Sequence, residues 1–105
     1  MASDALKGFE ELRKLEALLA VASSPQARAF KAHLRQVSEE ERGAHLMLYC
    51  EDDLLNLLRC TLAVGAPPDW RDVDGLSPLS ITAMNGSLRC MSALLDAGAD
   101  ASLGN

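Results

Sequence analysis

The sequence predicts an all-α protein, and two observations carry that prediction. Leucine and alanine dominate a chain in which 49% of the residues are apolar, which is too apolar for disorder and typical of helical proteins. Apolar residues also recur at helical spacing in short successive stretches, each bounded by capping residues, proline or glycine. At 105 residues the chain is long enough for one small domain with a modest core.

Residues 1–37 predict a pair of helices. Ser3 can cap the first helix, and Ser23-Ser24-Pro25 ends it and starts the second with a cap and a proline. Helical stripes are formed by Leu6, Phe9, Leu12, Leu15, Leu18 and Leu19 up to Ala22, and then by Ala27, Phe30, Leu34 and Val37. We expect this pair to pack on the following residues as an N-terminal cap. A separate partner-binding helix, or the tail of a preceding domain, is the alternative.

Residues 72–100 predict a hairpin of two short helices. Ser77-Pro78 is a cap followed by proline at the first helical position, and Asn85-Gly86 suits a tight turn with positive φ. The second helix carries an apolar stripe and ends at Gly98; the stripe consists of Leu88, Met91, Leu94 and Leu95. Because each helix has one apolar face, the hairpin needs neighbours to bury it.

This stretch resembles an ankyrin repeat. Asp72 and Gly75 stand at the turn positions of the family pattern, and Gly86 lies between the two helices. The T-P-L-H start of the first helix corresponds to Ser77-Pro78-Leu79-Ser80. The L-L and G-A-D motifs that end the repeat correspond to Leu94-Leu95 and Gly98-Ala99-Asp100. The resemblance covers residues 72–104. It implies an ankyrin-repeat helical solenoid, a non-catalytic scaffold fold whose surface binds other proteins.

A degenerate copy lies one ankyrin period of about 33 residues upstream, at about residues 39–71. When the two copies are aligned, Gly65-Ala66 corresponds to Gly98-Ala99, and Asp53 corresponds to Gly86. Its beginning differs, because Ser38 and Glu41 form a capping-box pattern that predicts a direct helix start. Residues 38–105 are therefore interpreted as two ankyrin repeats, capped by the N-terminal helical pair. The chain stops where a third repeat would start, so we expect a longer array.

The segment Gly65-Ala66-Pro67-Pro68-Asp69-Trp70 is also similar to the ankyrin tails of Arf GTPase-activating proteins. That similarity implies an accessory domain of a larger regulatory enzyme, because the activity of such proteins resides in a separate zinc module with an arginine finger. A third hypothesis is a structural end-cap that closes a repeat array and binds nothing itself.

Charge distribution narrows the class of partner. Residues 1–37 carry six Lys/Arg against four Asp/Glu, whereas residues 38–105 carry four against eleven. An acidic repeat region argues against nucleic acid and permits a basic protein partner. No apolar run is long enough to span a bilayer and no signal peptide opens the chain, so we expect a cytoplasmic protein, with the nucleus as the alternative.

No cofactor, metal or catalytic activity is expected. Cys50, Cys60 and Cys90 form an odd set without zinc-ligand spacing, which favours reduced structural thiols. Neither His33 nor His45 belongs to a catalytic motif, and no phosphate-binding glycine loop or nucleophile elbow is present.

The ankyrin resemblance places partner binding on the hairpin tips and the inner helices. By position, the candidate residues are Val73, Asp74, Leu76, Met84 and Asn85 in the second repeat, Glu51 and Asp52 in the first, and Trp70 and Arg71 before the turn. Tryptophan and arginine are enriched at interface hot spots, which makes an exposed Trp70 the first anchor candidate. Packing of Trp70 between the two hairpins is the alternative. The exposed C-terminal end permits self-association, and the sequence leaves the oligomeric state open.

Overall fold

The computed structural model describes residues 11–21 and 23–101, which form helices joined by turns and bends and contain no strand. Helix α1 covers residues 11–18, and the other helices are α2 (Pro25–Leu34), α3 (Glu39–Glu51), α4 (Leu55–Ala63), α5 (Pro78–Asn85) and α6 (Leu88–Asp96). The all-α class is therefore confirmed for this part of the chain. The predicted cap Ser3 and the stripe residues Leu6, Phe9 and Ala22 lie outside the described residues.

Serine side chains cap the starts of α2, α3 and α5, as predicted from the sequence. The hydroxyls of Ser24, Ser38 and Ser77 accept hydrogen bonds from the backbone amides three residues later, at 3.1, 3.2 and 3.2 Å. Pro25 and Pro78 occupy the first turns of α2 and α5, where the missing amide hydrogen is not needed. These local signals fix where the three helices begin.

The hairpins α3–α4 and α5–α6 repeat each other with the same period as the sequence. Positive φ angles occur at equivalent places: 54° at Asp53 and 69° at Gly86, then 92° at Gly65 and 95° at Gly98. Backbone hydrogen bonds recur at the same offset, from Leu54 N to Tyr49 O and Ser87 N to Thr82 O, and from Ala66 N to Thr61 O and Ala99 N to Leu94 O. The two hairpins therefore share their turn geometry, although their sequences differ.

The helical pairs follow one another in space in chain order. Helix α3 contacts α4 and α5, while α4 contacts both α2 and α6. One apolar core continues through both hairpins, and its fully buried members include Leu46, Cys50, Leu57, Leu58, Cys90 and Leu94. Burial of each such leucine contributes about 1.5–3 kcal/mol, so packing between the pairs holds these short helices together.

Two carboxylates cap helices that have no cap of their own. Neither Leu54 before α4 nor Ser87 before α6 forms a side-chain capping bond. The Glu16 carboxylate in α1 accepts hydrogen bonds from the amides of Asn56 and Leu57, each at 2.8 Å. The Asp53 carboxylate accepts one from the amide of Cys90 at 2.9 Å. Because Leu57 and Cys90 are the third residues of their helices, both helices are capped at the same position by a preceding element.

Candidate interaction surface

The turn before α5 is held in one shape by Asp72. Its carboxylate accepts hydrogen bonds from the amides of Asp74 and Leu76, both at 2.9 Å, while its own amide donates to the Leu76 carbonyl. Val73 therefore projects fully into solvent, at 102% relative exposure, and Asp74 beside it is also exposed. Leu76 is half-buried and packs against the core. The turn presents one apolar and one acidic side chain on a fixed backbone.

Arg71 and Trp70 lead into this turn, and the side chain of each makes a contact that holds it in place. Arg71 is exposed, and its Nη1 donates a hydrogen bond to the Gly75 carbonyl at 2.7 Å. Trp70 is half-buried, with its indole so close to Gly43 in α3 that a Cβ on Gly43 would overlap the ring. One face of the indole therefore packs against the first hairpin and only the remainder is accessible.

The last turns of α3 and α5 present the other candidate residues. Met84 is 66% exposed, and the neighbouring Asn85 is exposed while its side-chain amide donates to the Ile81 carbonyl at 2.9 Å. Glu51 and Asp52 are exposed at the end of α3, one period before Met84 and Asn85. Since α3 and α5 are in contact and their hairpins share one geometry, these four residues occupy corresponding places on neighbouring helices.

The candidate residues thus form two groups instead of a single cluster. The turn group, Trp70 to Leu76, precedes the first turn of α5, whereas Met84 lies in its last turn. The helical rise from Pro78 to Met84 is about 9 Å. A partner that contacts both groups must therefore lie along α5.

Sequence reasoning missed Leu48, which belongs with the second group. Leu48 is 39% exposed and precedes Glu51 by three residues in α3, so the two side chains are neighbours on one helical face. This spacing was available in the sequence. The candidate positions implied by the ankyrin resemblance do not include Leu48.

The titratable side chains that lie inside the fold pack against their neighbours, and their burial shifts their pKa values. The His45 and Tyr49 rings stack with centroids 5.8 Å apart, and the Tyr49 hydroxyl lies 3.2 Å from Nδ1 of His45. Burial lowers the pKa of His45 and raises the pKa of Tyr49 to about 12. Burial also raises the pKa of the Cys50 thiol to about 12, so at neutral pH this sulfur is a protonated core group and a poor nucleophile.

The described surface carries an open groove of about 450 Å³ along α1, beside Glu11, Leu12, Lys14, Leu15 and Leu18. A cleft of about 90 Å³ lies between α4 and the first two helices, and its lining consists of Leu19, Ala20, Lys31, Asn56, Arg59, Cys60 and Ala63. Drug-sized and cofactor pockets are typically about 300–1,000 Å³, well above this volume. Within residues 11–21 and 23–101, no three His, Cys, Asp or Glu side chains are grouped to hold a metal ion. None of the helices described there is both long and apolar enough to cross a membrane.

Comparison with known proteins gave no match. No family model matches the chain, and no curated protein or solved structure is significantly similar to it.

Proposed function

We propose that this chain is a non-catalytic protein-interaction module of the ankyrin type, with two repeats in residues 38–105. The support is the recurrence of turn dihedrals and backbone hydrogen bonds between the two hairpins, together with the ankyrin-like residues at 72–100. The same period of about 33 residues is found in the sequence resemblance and in the backbone geometry.

In this proposal residues 1–37 act as an N-terminal cap. Glu16 of α1 caps α4 in the way that Asp53 of the first hairpin caps α6, so the N-terminal pair occupies the place of a preceding repeat. Leu19 is buried in the common core, and the partly buried Leu12, Leu15 and Phe30 pack against it. The pair thereby covers apolar surface of α4 that water would otherwise reach.

The binding surface in this proposal combines exposed apolar side chains with carboxylates. The observation that carries it is that Val73 and Met84, 102% and 66% exposed, both lie at positions where the ankyrin resemblance implies partner contacts. Asp74 flanks the first, while Glu51 and Asp52 lie on the neighbouring helix beside the second. This arrangement suits an extended partner segment with apolar anchors separated by basic residues.

The test compares three matched double variants, each of which replaces two exposed apolar residues with glutamate. The surface variant is Val73→Glu, Met84→Glu; the α1 variant is Leu18→Glu, Val21→Glu; the α6 variant is Leu88→Glu, Leu95→Glu. Each is immobilised and incubated with cell lysate, and bound proteins are quantified by mass spectrometry after circular dichroism has verified folding. We expect one or more proteins to be retained by the parent chain and by the α1 and α6 variants, and lost from the surface variant.

Retention of every partner by the surface variant would refute this binding surface. Loss from the α1 variant alone would assign binding to the N-terminal helices. If no variant and no parent chain retains a specific partner, the end-cap hypothesis replaces the interaction module. A binding affinity that falls as salt rises would support a basic partner, because exposed charge pairs are screened.

A further inference from the structure

Cys50 and Cys90 belong to different hairpins but face the same boundary. Cys50 is fully buried, whereas Ala83 at the equivalent place in the second hairpin is exposed, so the hairpin that follows Cys50 is what buries it. Cys90 reaches this boundary from α6, which contacts α3. Its sulfur lies 3.9 Å from the carbonyl oxygen of Tyr49, in the last turn of α3.

The contact with Tyr49 brings the Cys90 sulfur close to Cys50, because Cys50 is the next residue in the chain. A carbonyl oxygen lies less than about 3 Å from the Cα of the following residue, so the Cys90 sulfur lies within about 7 Å of the Cys50 Cα. Disulfide-bonded cysteines have Cα atoms about 4.4–6.8 Å apart, and the spacing here is compatible with such a bond. Burial raises the pKa of Cys90, and the nearby Cys50 thiol raises it further.

Cys60 is closer to Cys50 along the chain but lies at another boundary. It lines the cleft against Leu19 and Lys31, where α4 meets the N-terminal pair. About 10 residues separate Cys50 from Cys60 and about 40 separate Cys50 from Cys90, so in an unfolded chain the loop between Cys50 and Cys60 closes at the lower entropic cost. The fold and the unfolded chain therefore favour different cysteine pairs.

We propose that Cys50 and Cys90 form a redox-sensitive pair, which a low-molecular-weight disulfide such as glutathione disulfide oxidises to a cross-link between the two hairpins. When the boundary opens transiently, one cysteine thiolate attacks glutathione disulfide and releases one glutathione. The second cysteine then attacks the mixed disulfide and releases the other glutathione.

The two protein thiols lose two protons and two electrons in this exchange, and both are recovered in the two molecules of glutathione. The new bond restrains the unfolded chain and keeps the boundary between the hairpins closed. The proposal is independent of the partner-binding surface, because neither cysteine is exposed on it.

Oxidation of the 105-residue chain with glutathione disulfide, followed by peptide mapping without reduction, tests the proposal. One sample is oxidised in the folded state and a second in concentrated guanidinium chloride. We expect the folded chain to yield the Cys50–Cys90 cross-link as its main product, with Cys60 left as a thiol. In guanidinium chloride the Cys50–Cys60 link should exceed the Cys50–Cys90 link. The oxidised folded chain should melt about 10 °C or more above the reduced chain.

Cys60→Ser is the matched control and should form the same cross-link, whereas Cys50→Ala and Cys90→Ala should form none. Circular dichroism before oxidation verifies folding, and the link mapped in the parent chain decides the proposal even where a variant fails to fold. A folded parent chain whose main internal link contains Cys60 would overturn the proposal. So would a folded chain in which Cys50 and Cys90 stay reduced while the sample in guanidinium chloride is oxidised.

Discussion

At the residue scale, a glycine in the middle of a helix makes room for the one tryptophan. Gly43 is buried within α3, and the indole of Trp70 lies directly against it from the loop that follows the first hairpin. Glycine weakens a helix interior by about 1 kcal/mol relative to alanine, so its presence here calls for a compensating contact. The indole packed on the bare backbone is that contact, and it joins the turn before α5 to the first hairpin.

We predict that Gly43→Ala destabilises the protein by about 1–2 kcal/mol, because overlap with the indole outweighs the gain in helix propensity. Trp70 is the only tryptophan, so its fluorescence should report increased exposure in the variant. Chemical denaturation followed by circular dichroism gives the free energy of unfolding.

Ala44→Gly is the matched control for Gly43→Ala, since Ala44 is exposed and adjacent in the same helix. It should cost about 1 kcal/mol through propensity alone. If Gly43→Ala instead stabilises the chain by as much as Ala44→Gly destabilises it, the indole does not require the glycine.

At the element scale, helices α4 and α6 depend on carboxylates from elsewhere in the chain for their first turns. Asp53 binds the amide of Cys90, and its carboxylate and carbonyl also accept hydrogen bonds from Arg89, at 2.9 and 3.0 Å. Partial burial by itself would raise the pKa of Asp53, but these hydrogen bonds outweigh it and lower the pKa. Asp53 also adopts a positive φ of 54°, which aspartate tolerates better than most residues.

Substitutions at Asp53 separate its two roles. Asp53→Gly should remove the cap and also the strain of a non-glycine residue at positive φ, and should lower the free energy of unfolding by about 1 kcal/mol. Asp53→Ala should lower it by about 1 kcal/mol more, because alanine is disfavoured at positive φ. Unfolding free energies at pH 7 provide the measurement. Equal losses in the two variants would show that the φ angle of Asp53 carries no strain.

The pH dependence follows from the lowered pKa of Asp53. A carboxyl whose pKa is lower in the folded state stabilises the fold above its unfolded pKa of about 3.9, and this contribution disappears as pH falls through the folded pKa. Asp53→Asn should therefore be less stable than the parent at pH 7 and lose less stability between about pH 4 and pH 2. Parallel pH profiles of parent and variant would exclude this role of Asp53.

At the scale of the whole molecule, the cysteines lie at both boundaries between helical pairs. Cys60 lines the cleft where α4 meets α1 and α2. Cys50 and Cys90 are fully buried where the two hairpins meet, with the Cys90 sulfur 3.9 Å from the Tyr49 carbonyl oxygen. Burial raises the pKa of all three thiols, so each becomes reactive only when its own boundary opens.

We predict that Glu16→Ala exposes Cys60 selectively. Loss of the Glu16 carboxylate removes two hydrogen bonds that join α1 to α4, which should open that boundary and leave the hairpin contact intact. Maleimide labelling at pH 7 with peptide mapping should show about a tenfold or greater increase in the rate at Cys60 and little change at Cys50 and Cys90.

A Ser92→Cys variant supplies the reference rate of an exposed thiol in this labelling experiment. In the parent chain the three native cysteines should all react far more slowly than Cys introduced at this position. Equal acceleration of all three native thiols by Glu16→Ala would mean that the chain opens as one cooperative unit.

Helix positions and several ends follow from the sequence by itself, because their signals are local. Ser24-Pro25, Ser38 and Ser77-Pro78 mark helix starts, and Gly86 and Gly98 mark turns with positive φ, since each acts on amides or dihedrals within a few residues. The placement of Met84 at the end of α5 could be predicted for the same reason, from Asn85-Gly86, whereas the placement of Val73 on a turn is what the ankyrin resemblance implies.

Contacts between distant residues were decided only by the tertiary structure. Glu16 and Asp53 cap amides that lie far along the chain, Trp70 finds its space over Gly43, and Leu48 is exposed while the equivalent Ile81 is buried. No local pattern distinguishes these residues from others of the same type, because their energies depend on which neighbour the fold brings to them. Leu88 and Leu95 likewise belong to an apolar stripe in the sequence, and only the tertiary structure shows that both are exposed.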